Sequence, residues 1–318
     1  MIEAIILVIL GLVLLTFAAD KFVDGAVGLS INLKIPTLII GLVVIGFATS
    51  APELIVSVTA AFSGHPSLSL GNAVGSNIAN IGLVLGITSI IVPLHLSRNT
   101  FKVEFRLMIL ALIIFTLLVS DLKITRIDGL ILIFSLLIIL FAMIKLNGKY
   151  ATTPKETEGE SKINLRKSIF LSSVGFLTML LASEILVRGS IDIAKFFGAS
   201  DLFIGLTIVA VGTSLPELAA SVAGALKKEV DLAIGNIIGS NTFNALAVTA
   251  MPALVNQFLI ESEALSRDIV SMWLLTFFLI IILLVGKNKL SIGRYGGYFL
   301  AACFCFYQFL LFQAQMIT

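Results

Sequence analysis

Charge is scarce in this sequence. Lys, Arg, Asp and Glu make up 13% of its residues, where a soluble domain carries about a quarter, and this excludes a water-solvated globule. Cysteine and histidine are scarcer still, at two each. Cys303 and Cys305 stand two residues apart in an apolar run near the C-terminus, which builds neither a disulfide framework nor a soft-metal site. His65 and His95 fall in expected loops and are given no role. A net charge of +2 points to no nucleic-acid partner. No basic stretch precedes the first apolar run and no convincing cleavage site ends it, so that run is expected to be retained as a span.

What the chain has is apolar length. Hydrophobic residues reach 58% and the mean hydropathy is +1.10. The runs are long and recurrent, and a helix crossing a bilayer needs about 20 such residues. The pattern predicts an all-α membrane protein with ten transmembrane helices. The first span covers about 2–31, the second begins after Lys34-Ile35-Pro36 and carries Thr49 to Glu53, and the next three cover about 68–92, 105–119 and 127–144. A polar linker, Asn147 to Lys167, is followed by spans at 168–197, 202–226, 232–255, 269–285 and 295–312. The predicted organisation is therefore a first half at 1–146, a linker at 147–167 and a second half at 168–318.

The two halves repeat each other. A-T-S-A-P-E (Ala48 to Glu53) returns as G-T-S-L-P-E (Gly212 to Glu217). G-N-A-V-G-S-N-I-A-N (Gly71 to Asn80) returns as G-N-I-I-G-S-N-T-F-N (Gly235 to Asn244). A shift of 164 aligns Gly41–Gly86 with Gly205–Ala250 without a gap, with 18 identities in 46 positions. The identities favour polar, Gly and Pro positions over interchangeable aliphatics, which marks an internal duplication. Five spans per half is odd, so the copies enter the membrane with opposite orientations, giving two inverted five-helix repeats. With the N-terminus outside, sixteen Lys and Arg fall in inner segments and five in outer ones. This positive-inside bias places both termini outside the cell and the linker in the cytoplasm. Asp20 and Asp24 lie near a span end and read as headgroup-level anchors.

Carboxylates, hydroxyls and amides inside membrane spans are costly and mark an ion or substrate site. Pro52 and Pro216 donate no backbone hydrogen bond and crowd the carbonyl four residues earlier. This is expected to loosen the carbonyls around Ala48 and Thr49, and around Gly212 and Thr213. Glu53 and Glu217 follow each Pro in the first turn of the resumed helix, where the dipole favours a carboxylate. Such an oxygen set suits a hard cation. Ser76 and Asn80, like Ser240 and Asn244, stand four apart on one helix face and add neutral oxygens. Gly71, Gly75, Gly235 and Gly239 are expected to let helices approach closely. Two carboxylates are neutralised equally by one divalent ion or two monovalent ions. No Lys or Arg stands inside spans two, three, seven or eight to pair with them.

T-S-A-P-E and T-S-L-P-E, each followed by the G-N block, resemble the two alpha repeats of the calcium/cation antiporter superfamily, and specifically its sodium/calcium exchanger branch, in a short prokaryotic form. The resemblance implies that calcium is held by Glu53, Glu217 and the backbone carbonyls of Thr49 and Thr213. It implies sodium sites at Ser50, Ser76, Ser214, Ser240 and the backbone of Gly46 and Ala210, with Asn80 and Asn244 at the central polar positions. Some relatives carry Asp where this chain has Asn244, a residue associated with potassium dependence, so the Asn argues against potassium cotransport. The implied function is sodium-for-calcium antiport across the cytoplasmic membrane, with spans one and six rocking against the rest. The transported ions and the bilayer are then the only partners, with no cofactor, no enzymatic activity and no obligate protein partner. Two alternatives stay open at this point. One is an antiporter coupled to protons, which compete naturally for buried carboxylates, or moving magnesium or manganese. The other is a cation channel. An intramembrane hydrolase lacks a nucleophile–base pair or zinc motif.

Overall fold

The ends of the apolar runs set the helices. The computed structural model describes residues 1–64, 67–147, 164–198, 210–260, 262–285 and 290–317. In the first half, α1 is Ile2–Leu33, α2 Thr37–Phe62, α3 Leu68–Ile91, α4 Glu104–Val119 and α5 Arg126–Asn147. In the second, α6 is Leu165–Phe196 and α7 Leu215–Leu226, preceded by a turn at Ala210–Thr213. Helix α8 starts as Val230–Phe243 and is carried on to Val255. Then follow α9, Ala264–Val285, and α10, Arg294–Ile317. Among the described residues, α1, α2, α3, α5, α6, α9 and α10 are long and apolar enough to cross a membrane. Residues 199–209, which hold most of the first part of span seven, and 148–163 of the linker lie outside the described residues.

Two boundaries differ from the sequence reading. Helix α6 begins at Leu165, because the Asn164 side chain accepts from the Lys167 backbone N–H (2.8 Å) and caps it. The linker is shorter by that turn. Helix α9 begins at Ala264 rather than near Ile269, through a wide π turn at Ala264–Ile269. The charges there satisfy each other: Arg267 Nε donates to Asp268 Oδ1 (2.6 Å), which also accepts from the Tyr307 hydroxyl (3.1 Å). Four two-residue strands complete the fold, where none was expected. Leu94–His95 (β1) pairs antiparallel with Ser291–Ile292 (β4), and Lys123–Ile124 (β2) with Phe258–Leu259 (β3). Each pairing joins the first half to the second and gives backbone groups between helices a partner. His95 thus sits in a strand, exposed, and His65 lies outside the described residues.

The polarity of the packing is that of a membrane protein. Phe17, Leu117, Phe134 and Leu181 are exposed on the outer surface, while Glu53, Asn236 and Asn244 are buried. Helix α1 packs along α6 more extensively than any other pair of elements. The contact is antiparallel and built on glycine: a Cβ at Gly11 would meet Leu186 at 2.8 Å, and one at Gly175 would meet the Phe22 backbone at 2.6 Å. Gly189 against Ala4 repeats the arrangement. Gly11 and Gly175 are related by the shift of 164, so the duplication also shapes this interface.

Candidate cation site

In α2 the helix runs to Thr49, breaks at Ser50 (φ −83°, ψ 1°) and resumes at Ala51. The second copy breaks in the same way at Ser214 (φ −89°, ψ 3°). Pro52 and Pro216 stand in the first turn of the resumed helix, where a missing N–H costs nothing. The Gly212 carbonyl accepts from Ser183 Oγ (2.9 Å) on α6. Gly46 O still accepts from Ser50 N (3.2 Å), and Ser50 O from Leu54 N (3.1 Å).

A second irregularity was not foreseen. Both G-N blocks end in wide π turns, Asn80–Leu85 and Asn244–Val248, each beginning at the asparagine singled out from the sequence. Single π turns in α-helices concentrate at functional sites. Here both Asn80 and Asn244 are buried, with the amide oxygen and nitrogen of each unpartnered. A further π turn, Ile40–Ile45, precedes Gly46 in α2.

These elements bring the two carboxylates together. Glu53 is 0% and Glu217 1% exposed, and they lie close enough to act on each other electrostatically. Among the described residues no salt bridge reaches either one. Ser76 Oγ donates to Glu53 Oε1 at 3.5 Å, and the Thr49 and Ser50 hydroxyls from the other half lie near Glu217. Glu53 Oε2, both Glu217 carboxylate oxygens, Ser50 Oγ and Ser214 Oγ have no hydrogen-bond partner of good geometry. Each unsatisfied buried group costs about 1–3 kcal/mol. A cluster of such oxygens around two carboxylates fits a dehydrated hard cation, which wants six or more oxygens when it is calcium-sized.

The remaining residues form the wall. Thr49 Oγ1 donates to Asn236 Oδ1 (3.1 Å) and stands 3.2 Å from Ser240 Oγ, which reaches Gly46 O at 3.4 Å. Helix α2 and the G-N block of α8 meet through glycine: a Cβ at Gly41 would sit 2.5 Å from Leu232 O, and one at Gly235 2.5 Å from Leu38 O. A Cβ at Gly239 would collide with the Leu42 carbonyl. For Gly71 and Gly75 no described residue comes within 4 Å of a Cβ. Residues 201–209, aligned with the segment of α2 that packs on Gly235 and Gly239, lie outside the described residues. Thr213 stands in the turn ahead of α7, and Ala210 opens that turn.

Residues not singled out from the sequence also enter. Asn72 Nδ2 donates to Glu53 O (2.9 Å) and to Ser57 Oγ (2.9 Å). Asn236 Nδ2 donates to Glu217 O (3.2 Å) and to Ser221 Oγ (2.9 Å). All four residues are identical between the copies at the shift of 164, which is the signal that would have found them. Asp20 and Asp24 are more than solvated anchors: Lys227, at the end of α7, pairs with both, at 2.7 Å from Asp20, and Lys21 joins the cluster.

Comparison with known proteins bears on this arrangement. The family model described as sodium/calcium exchanger protein matches residues 3–145 and 167–313. The CaxA protein of Alkalimonas amylolytica is 42% identical over 99% of this chain and 100% of its own length. The sodium/calcium exchanger MaX1 of Methanosarcina acetivorans is 28% identical over 78% of this chain and 82% of its own. The solved structure of the sodium-calcium exchanger NCX_Mj, soaked with sodium and strontium, superposes with a TM-score of 0.81 at 31% identity, covering 96% of this chain and 97% of that one.

Proposed function

We propose, from the premise that this chain belongs to the sodium/calcium exchanger protein family, that it exchanges sodium for calcium across the cytoplasmic membrane by alternating access. It is a multi-pass membrane transporter rather than an enzyme. The observation that carries the finer reading is the pair Glu53 and Glu217, buried together without a basic partner among the described residues. Their combined charge of −2 when ionised is balanced by one calcium ion or by two sodium ions. One site that must hold one or the other, and that costs several kcal/mol to carry through the membrane uncompensated, is the physical requirement for exchange.

In this reading Glu53 and Glu217, with the carbonyls of Thr49 and Thr213, hold calcium. Ser50, Ser76, Ser214, Ser240 and the backbone of Gly46 and Ala210 serve sodium, and Asn80 and Asn244 close the centre. The chain forms ten spans in two inverted repeats, 1–146 and 168–318, with the linker in the cytoplasm and both termini outside. The duplication, the odd span number and the distribution of basic residues support this topology. Helices α1 and α6, packed chiefly on each other, form the moving pair. The ions and the bilayer are the partners, and no cofactor is required.

The test is radioactive calcium uptake into proteoliposomes under imposed gradients. Uptake should follow an outward sodium gradient and stop when that gradient is collapsed. Uptake driven equally by a proton gradient without sodium would replace sodium by protons in the cycle, and downhill calcium flux with no counter-ion would make the protein a channel.

A further inference from the structure

We infer that Asn72 and Asn236 are positioning residues of the cation site, each fixing the turn of helix that carries its glutamate. The inference rests on the two-carboxylate reading above. In each half one side-chain amide spends both of its hydrogens on the neighbouring helix. One goes to the carbonyl of the glutamate, at 2.9 Å for Glu53 and 3.2 Å for Glu217. The other goes to the hydroxyl four residues on, at 2.9 Å for both Ser57 and Ser221. Residues four apart share a helix face, so the amide spans one turn and fixes both the rotation and the height of the helix where the carboxylate leaves it.

The amide cannot be turned over. Its nitrogen faces two acceptors, and exchanging nitrogen for oxygen would set oxygen against the carbonyl. In α8 the other side of the amide is also engaged, because Asn236 Oδ1 accepts from Thr49 Oγ1 at 3.1 Å and from Ser240 Oγ at 3.5 Å. That one side chain therefore joins the backbone of Glu217 to the threonine of the opposite half, inside the site. An asparagine bonded only within its own helix behaves otherwise: Asn241, also buried, donates to Ile237 O (2.9 Å). The clamp occurs twice, at aligned positions and between aligned partners, although the sequences around it have diverged.

The experiment measures equilibrium binding of calcium alone to the purified full-length protein, together with its thermal unfolding midpoint. Asn72→Ala and Asn236→Ala should each weaken calcium binding about tenfold, the worth of two neutral hydrogen bonds. Ser57→Ala and Ser221→Ala, which delete one arm of each clamp, should weaken it about threefold. The double variant Asn236→Ala with Ser221→Ala should be no worse than Asn236→Ala. Ile237→Ala, a buried apolar neighbour of Asn236, should lower the unfolding midpoint and leave calcium affinity unchanged. If the asparagine variants behave like Ile237→Ala, with stability lost and affinity kept, the positioning role is overturned. Should Asn236→Ala fail to fold, the serine variants decide, and wild-type affinity in both rejects the proposal. A wild-type protein that neither binds nor exchanges calcium instead overturns the underlying site.

Discussion

Replacing Glu217 by Gln, or Glu53 by Gln, removes one charge while keeping shape and one carbonyl oxygen. Both side chains are essentially fully buried, and no basic group among the described residues stands by to mask the change. At an effective dielectric constant of about 20, a unit negative charge ~4 Å from a divalent ion contributes roughly 8 kcal/mol, and from a monovalent ion roughly 4 kcal/mol. The two ions are therefore separated by ~4 kcal/mol, or about a thousandfold in relative affinity. Rearranged side chains and water offset part of this, so the measured selectivity change should be at least about a hundredfold. The remaining carboxylate still balances one sodium ion, whereas a bound calcium would leave a net positive charge in the membrane interior. Calcium exchange should thus be abolished in both variants, while sodium binding falls less and the unfolding midpoint holds or rises. The assay is calcium uptake and sodium–sodium exchange measured in the same proteoliposomes. Near-normal calcium exchange in either variant would refute the two-carboxylate site, and an equal loss of both ions would refute the charge argument.

Other outcomes follow from the same geometry. Asn244→Asp should keep calcium binding and acquire a new dependence on pH or potassium, read from uptake at varied pH and potassium, because a third carboxylate calls for an additional monovalent cation or proton. Gly239→Ala should lower the unfolding midpoint by the equivalent of about 1–3 kcal/mol, because its Cβ meets the Leu42 carbonyl. With Cys303 and Cys305 replaced, a single cysteine at position 155 should be labelled only from the cytoplasmic side, and one at position 318 only from outside.

Much of this was legible because the chain states it twice. Glu53 and Glu217 stand out in the sequence since a carboxylate in an apolar span is rare, and its recurrence after 164 residues rarer. Helices α1, α3 and α5 begin and end within a few residues of the hydropathy boundaries, and α2 begins at the expected one. The π turns at Asn80 and Asn244 could not be read, because a wide turn differs from an α turn in which carbonyl accepts, without a cost in composition. Two-residue strands are too short to show an alternating period. The bond from Lys227 to Asp20 and Asp24 depends on where α7 ends in space, which spacing along the chain does not reveal. The roles of Asn72 and Asn236 were visible as identities, but their partners across the helix pair were not.

The small strand pairings limit how the protein can move. One ties the chain after α3 to the start of α10, and the other ties the α4–α5 connection to the chain after α8. They lie at opposite ends of α4, so the two halves are stapled together at both ends of their shared frame. A machine that opened by parting its halves like a hinge would have to break one staple in every cycle. In the cycle proposed above, the staples would hold the frame together while the long α1 and α6 pair moves against it. Sequence duplication divides this protein into two halves, whereas the proposed cycle would divide it into a fixed block and a carriage, each drawn from both copies.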